Sequence, residues 1–220
     1  MENTQAQRPL LVLDLDETLV HAEEKDKPFL FGRSPDFTTS DYVVYKRPHL
    51  DEFLSRMWKL YDLAVWSAAG TLYVNRVVEV IFDGYTQPVF VFSGVRTTRR
   101  FDHDRHEAYY IKDLKKVRKR GFDLRRVLIA DDLELNAQRN FGNAIYVKEF
   151  NGELDDNELL LLADYLEQLA DKPNFRAIEK RYWRSETQKA QKKAAPADPA
   201  ESAKSAKPAD SADSPPHHEQ

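Results

Sequence analysis

Along the chain, short apolar runs alternate with stretches of helical periodicity. Leu10 to Leu13 is a continuous apolar run that ends in Asp14 and reads as a buried strand. Residues 21 to 47 are irregular, with Phe29, Phe31, Phe37, Tyr42 and Tyr45 among polar neighbours, and Tyr42 to Tyr45 reads as one strand of a hairpin flap. Pro48 is placed to open a helix at its first turn, with Leu50, Phe53, Leu54, Met57, Trp58 and Tyr61 as the apolar stripe. Leu63 to Trp66 predicts a second strand, and Thr71 to Phe82 a helix carrying Leu72, Val74, Val77, Val78 and Ile81. Val89 to Phe92 predicts a third strand, followed by a charged stretch from Gly94 to His106. Val127 to Ala130 and Ala144 to Val147 predict two more strands, with a short helix at Glu134 to Arg139 between them. Asp155 and Glu158 are spaced as the capping pair of a helix running to Ala170. Strands alternating with helices of this length predict an α/β fold, a parallel sheet with helices on both faces.

Polar residues follow three of these strands directly. Asp14 and Asp16 end the first, Ser67 the second, and Asp131 and Asp132 the run at 127–130. In an open parallel sheet such ends share one edge, where ligands bind. Paired carboxylates repel and resist ionising together, so the arrangement asks for a divalent cation, Mg²⁺, and for one acid that holds a proton. Lys112 adds a cation to the set. Taken alone, Ser67 is an ordinary strand-end cap and Lys112 an ordinary surface lysine; the combination is what points to phosphate chemistry.

Composition narrows the classes. The chain has 220 residues, a net charge of -4 and no cysteine. It therefore has no disulfide or thiolate metal site, and no global basic field that points to nucleic acid. The polar residues 1–9 are expected to be a flexible terminus without a signal sequence, and no apolar run suits a membrane. The expected location is cytoplasmic. One domain is expected over 10–185. Residues 186–220, rich in Ala, Lys, Pro, Asp and Ser, are expected to be disordered. His217 and His218 on such a tail make a poor metal site.

Asp14-Leu-Asp-Glu-Thr-Leu-Val-His21 resembles the first motif of the haloacid dehalogenase (HAD) superfamily. Within it the chain resembles the small C-terminal-domain phosphatases, the branch like NLI interacting factor. Lys46-Arg-Pro-His-Leu-Asp-Glu-Phe-Leu54, Val65-Trp-Ser-Ala-Ala69, Tyr110-Ile-Lys-Asp-Leu114 and Asp123-Leu-Arg-Arg-Val-Leu-Ile-Ala-Asp-Asp132 agree with that branch, in order, between Leu10 and Leu169. The resemblance implies a HAD-like Rossmannoid domain and a protein Ser/Thr phosphatase. It makes Asp14 the nucleophile, Asp16 the acid/base, Ser67 a phosphoryl hydrogen-bond donor and Lys112 the charge-neutralising group. Mg²⁺ would be held by Asp14, by the Asp16 backbone carbonyl and by Asp132, with Asp131 orienting a water or Lys112. Thr18 would support the bend after the strand and, with Ser67 and Arg96, face the substrate. Ser67-Ala-Ala departs from the branch's pattern after the hydroxyl, and Arg96 to His106 is more charged than the branch leads one to expect.

The segments between motifs are too short for a large cap domain. An uncapped site favours a large substrate, here a phosphorylated protein or peptide. A nucleic-acid end, a small metabolite, and a non-catalytic phosphoprotein-binding scaffold are the alternatives, the last disfavoured because every expected catalytic side chain is present. Phe29, Phe31 and Phe37 read as the flap's own small core before a peptide pocket. Arg96, Arg99 and Arg100 read equally as guides for an acidic partner or as a solvated loop, and Lys115 to Arg120 as a solvated helix end.

Overall fold

The computed structural model describes residues 8–27, 32–103 and 106–194. The central element is β1 (Leu10–Leu13), buried along its whole length. It is flanked by β5 (Asp62–Trp66) on one side and β9 (Val127–Asp131) on the other, both parallel to it. β10 (Ala144–Tyr146) and β6 (Val91–Phe92) complete a five-stranded parallel sheet of order β10-β9-β1-β5-β6. Alternation along β1 splits the core in two. Leu11 and Leu13 face one cluster with Leu63 and Val65, while Leu10 and Val12 face a second with Ala64 and Trp66.

The first cluster is covered by α1 (Leu50–Leu60), α2 (Thr71–Ile81), α5 (Glu158–Leu169) and α6 (Trp183–Ala194). The second is covered by the short α3 (Lys115–Arg118) and α4 (Glu134–Ala137) through Val117 and Ala137. Helices thus lie on both faces, as the alternation of elements requires. No helix among the described residues is long and apolar enough to cross a membrane.

The insertions are small. β2 (Val20–Glu24), β3 (Phe37–Thr38) and β4 (Tyr42–Lys46) form an antiparallel sheet of order β2-β4-β3, one strand more than the expected hairpin. Phe37 packs against the main core; Phe29 and Phe31 lie outside the described residues, as do His217 and His218. The charged stretch contains a second insertion, the hairpin β7 (Thr98–Asp102) and β8 (Glu107–Ile111). Its strands place arginines opposite tyrosines, Arg99 on Tyr110 and Arg100 on Tyr109, a pattern without the apolar alternation that marks a half-buried strand.

Three local expectations are corrected. Pro48 does not open α1: His49 adopts φ 64°, a left-handed conformation incompatible with the helix, which begins at Leu50. The Asp155–Glu158 capping pair does not form. Asp156 accepts from Glu158 N at 3.0 Å, while the Glu158 carboxylate takes Lys148 N at 2.8 Å and the Arg184 guanidinium. The tail does not begin at 186, because α6 runs to Ala194 with Trp183 and Thr187 buried, and Trp183 stacks on Tyr165 at 5.6 Å.

Candidate active site

Sheet register gathers the acids. Leu13 pairs with Ala130 and Asp14 N donates to Ala130 O at 3.0 Å, so the next residues on the two strands, Asp14 and Asp131, are neighbours at the same edge. Asp14, Asp131 and Asp132 offer carboxylate oxygens within 4.8 Å of one another. Lys112, which follows β8, reaches into this cluster. Its side chain is fully buried, with Nζ 2.6 Å from Asp14 Oδ1 and 2.8 Å from Asp131 Oδ2. The lysine is held by its backbone: Lys112 N donates to Asn136 O at 2.8 Å, and Asn140 Nδ2 donates to Lys112 O.

Three carboxylates and one ammonium leave two negative charges in a buried space. Burial raises the Asp14 carboxyl well above the usual range, Lys112 opposing and Asp131 and Asp16 adding to the rise. Asp132 is pushed up to about 6 by burial and by the Asp131 carboxylate. A divalent cation would offset that charge and favour the ionised carboxylates, so the donor set fits one. Asp131 is otherwise satisfied, its Oδ1 accepting from Leu133 N at 3.0 Å and Asn136 Nδ2 at 3.1 Å.

Asp16 stands apart from this cluster. Its Oδ2 accepts from Ser67 Oγ at 3.0 Å and its Oδ1 from the Tyr73 hydroxyl at 2.5 Å. Ser67 Oγ in turn accepts from Ala69 N at 2.9 Å. Burial and the adjacent Asp16 raise the Tyr73 phenol, which keeps its proton and remains a donor. The Asp16 side chain is therefore held by two hydroxyls, and its carboxylate is not part of the metal-type group.

The bend between β1 and β2 is locally tight. Leu15 O accepts from Thr18 N, Leu19 N and Val20 N, and Glu17 sits at φ 59°. Thr18 is fully buried and its hydroxyl donates to Asp132 Oδ1 at 3.2 Å. It orients that carboxylate, and the expectation that Thr18 meets substrate is corrected on this ground. Arg96 is exposed; its guanidinium lies over the Phe92 ring, and it touches none of the carboxylates. His21 bridges Glu17 at 2.6 Å and Glu23 at 3.2 Å. Burial alone would lower its pKa, but the two carboxylates outweigh burial and the net shift is upward.

The sequence of residues 9–176 matches the family described as NLI interacting factor-like phosphatase. The chain belongs to this family. It is 33% identical over 165 residues to human carboxy-terminal domain RNA polymerase II polypeptide A small phosphatase 1, covering 73% of this chain and 59% of that protein. It is 31% identical over 172 residues to the Drosophila melanogaster phosphatase Herzog, covering 76% of this chain and 46% of the relative. The chain thus spans about half to three-fifths of the curated relatives it matches. Among solved structures, Fcp1, an essential RNA polymerase II CTD phosphatase, superposes with a TM-score of 0.48 at 22% identity, covering 84% of this chain and 52% of Fcp1.

The sequence marks Asp14, Asp131, Asp132, Lys112 and Ser67 through strand ends and motifs, and it leaves Tyr73 and Asn136 unmarked. Each lies in the first turn of a helix that follows a motif strand, and first turns face the strand ends.

Proposed function

We propose that the protein is a Mg²⁺-dependent phosphomonoester hydrolase that works through an aspartyl-phosphate on Asp14 and acts on phosphorylated Ser/Thr in proteins. One observation carries the reading. A single ammonium, Lys112, is buried between Asp14 and Asp131, while Asp16 is held separately on two hydroxyls. That divides the work between a nucleophile and an acid.

Asp14 Oδ1 is occupied by Leu15 N and Lys112, which orients Oδ2 to attack phosphorus. As the bond to the leaving oxygen breaks, Asp16 delivers its proton to that oxygen. In the second half Asp16 takes a proton from water as the water attacks the aspartyl-phosphate, which releases inorganic phosphate and restores Asp14. Ser67, whose hydroxyl rests on Asp16, turns to a phosphoryl oxygen when substrate is present. Asp14, Asp132 and the Asp16 carbonyl would hold Mg²⁺, whose charge stabilises the phosphoryl oxygens; an all-oxygen donor set with few protein ligands suits this ion. Asp131 fixes Lys112 throughout.

The substrate class is supported by the open site and by the relatives. A groove of about 600 Å³ begins at Asp16 and runs between α2 and the flap, lined by Tyr42, Leu72 and Tyr73 among others. No large cap among the described residues covers it, so a chain can enter with its phosphate directed at Asp14. The human relative named above takes its name from a protein segment, the carboxy-terminal domain of RNA polymerase II. Hydrolysis of para-nitrophenyl phosphate by the purified protein, with Mg²⁺ or EDTA and beside Asp14→Asn, tests the chemistry. Turnover that needs Mg²⁺ and is lost in the variant is expected; normal activity of a folded Asp14→Asn protein would sink the mechanism.

A further inference from the structure

The carboxyl end of β6 carries cations that this reaction does not use. The Arg96 guanidinium lies 5.2 Å from the centroid of the Phe92 ring. Arg120 lies 5.7 Å from the same ring and 5.2 Å from that of Phe90. Lys116 Nζ donates to Arg96 O at 2.6 Å. Among the described residues none of these three pairs with a carboxylate, whereas Arg125 pairs with Asp123 at 2.8 Å and Arg139 with Asp113 at 3.2 Å. Aromatic faces hold guanidinium groups in place without neutralising them. Two guanidiniums thus lie against one ring, and the Lys116 ammonium is bound to the backbone carbonyl of Arg96.

Backbone contacts tie this site to the reaction centre. Ser67 N donates to Phe92 O at 3.0 Å, and Gly94 N donates to Ala69 O at 2.8 Å. A Cβ on Gly94 would stand 2.4 Å from Ala68 O, so only glycine lets this turn press against the loop that follows Ser67. Arg96 closes the same 3-10 turn, Gly94–Arg96, and the Ser93 and Thr71 hydroxyls lie 2.8 Å apart across the seam. Arg96 therefore stands at a set position on the sheet edge that also carries Ser67, and Lys116 is tied to it through its carbonyl.

We propose that Arg96, Lys116 and Arg120 form a subsite for an anionic side chain, a carboxylate or a second phosphate, that flanks the phosphorylated residue of a protein substrate. The proposal rests on the phosphatase reading and adds its sequence preference. A peptide suits the charge pattern better than a nucleic acid. A nucleic-acid backbone bears a charge at every residue and would have to pass Glu17 and Asp41, which line the groove beside Asp16. A peptide can place its anions at the cations alone.

The test compares phosphoserine peptides with acidic flanks, with the matching Asn/Gln flanks, and with a second phosphoserine, alongside para-nitrophenyl phosphate. Wild type, Lys116→Gln/Arg120→Gln and Arg120→Glu are assayed with Mg²⁺ at low and high salt. Wild type is expected to favour the acidic and doubly phosphorylated peptides by about tenfold in kcat/KM at low salt and by less at high salt. The double variant should lose the preference and keep its turnover of the aryl phosphate, and Arg120→Glu should disfavour the acidic peptides. The two anionic peptides show which anion the subsite takes. Equal rates on acidic and neutral peptides, or a preference that survives the double substitution, would overturn the proposal. Strong competition by a single-stranded oligonucleotide, lost in the double variant, would overturn it in favour of nucleic acid. If wild type fails to turn over the aryl phosphate, the phosphatase reading fails by itself. Fluorescence anisotropy of a labelled acidic peptide then judges the subsite alone, and identical binding by wild type and the double variant would refute it.

Discussion

The Tyr73 hydroxyl donates a 2.5 Å hydrogen bond to Asp16 Oδ1, while Ser67 occupies Oδ2 at 3.0 Å. Both oxygens of the proposed acid are thus oriented by groups from the same strand–helix unit. Tyr73 also meets Tyr42 of the flap edge-on, with ring centroids 5.5 Å apart. Tyr73→Phe should preserve the fold and lower kcat on a phosphoserine peptide by about tenfold, part of what general acid catalysis supplies. The loss should be smaller on para-nitrophenyl phosphate, whose leaving group needs little protonation. Equal losses on the two substrates would remove Asp16 orientation as the role of Tyr73.

Lys112 is the only cation described within the buried carboxylate cluster. Lys112→Met should reduce kcat by about 10²-fold or more, the scale of one lost electrostatic stabiliser. It should also destabilise the Mg²⁺-free protein by about 3–5 kcal/mol, because two carboxylates lose their buried counter-charge. Circular dichroism and denaturant unfolding separate the two effects; a variant with wild-type turnover would show that Lys112 is structural only.

Mg²⁺ binding should depend on pH through Asp132 and Asp14. Both carboxyls are raised, Asp132 to about 6. A raised acid binds its proton more tightly in the folded state, so without metal its contribution to stability falls as pH rises from about 4, the unfolded value, towards 6. The cation must displace those protons. The rise in Tm on adding Mg²⁺ is expected to be large at pH 7 and to shrink below about pH 6. A shift of the same size at pH 5 and pH 7 would contradict this coupling.

Arg47 and Asp156 form a buried two-pronged pair, with Nε on Oδ1 and Nη2 on Oδ2, both at 2.8 Å. Burial would raise the Asp156 carboxyl, but Arg47 outweighs it and the net shift is downward. Arg47 also donates to Thr18 O at 3.0 Å and Lys148 O at 2.8 Å, joining the flap, the bend after β1 and the start of α5. Arg47→Met should cost about 3–5 kcal/mol, the usual result of stranding one buried charge. Urea unfolding measures it, and a cost under 1 kcal/mol would show that water reaches Asp156 in the variant.

α6 belongs to the folded domain. Trp183 is buried against Tyr165 and its Nε1 donates to Tyr146 O at 2.9 Å. Trp183→Ala should destabilise by about 3–5 kcal/mol, as for other large aromatic truncations in a core. Unchanged thermal unfolding would show that the helix is dispensable.

The elements that the sequence revealed share one property: their signal is local. The four-residue apolar run ending in Asp14 carries the signal of a buried strand in its own residues, and the parallel sheet follows from the alternation of such runs with helices. Asp14, Asp16, Ser67, Asp131 and Asp132 were legible because strand ends in such a sheet share an edge. α6 was not, since its exposed face has the composition of a disordered tail and its order depends on Trp183 meeting α5. The hairpin at 98–111 was hidden in the same way, by arginines and tyrosines that pair across strands rather than bury.

By itself, then, the sequence determined the sheet, the acids at its edge and the family. Tertiary structure alone decided how those groups share charge and protons. It buried Lys112 between two carboxylates, gave Tyr73 to Asp16, turned the Thr18 hydroxyl to Asp132, and brought Arg96 and Arg120 to one ring with Lys116 on the Arg96 carbonyl. The physical reason is range. Periodicity and strand ends are encoded by neighbours in the chain, whereas a pKa shift, an ion pair or an anion site depends on burial and on partners tens of residues away.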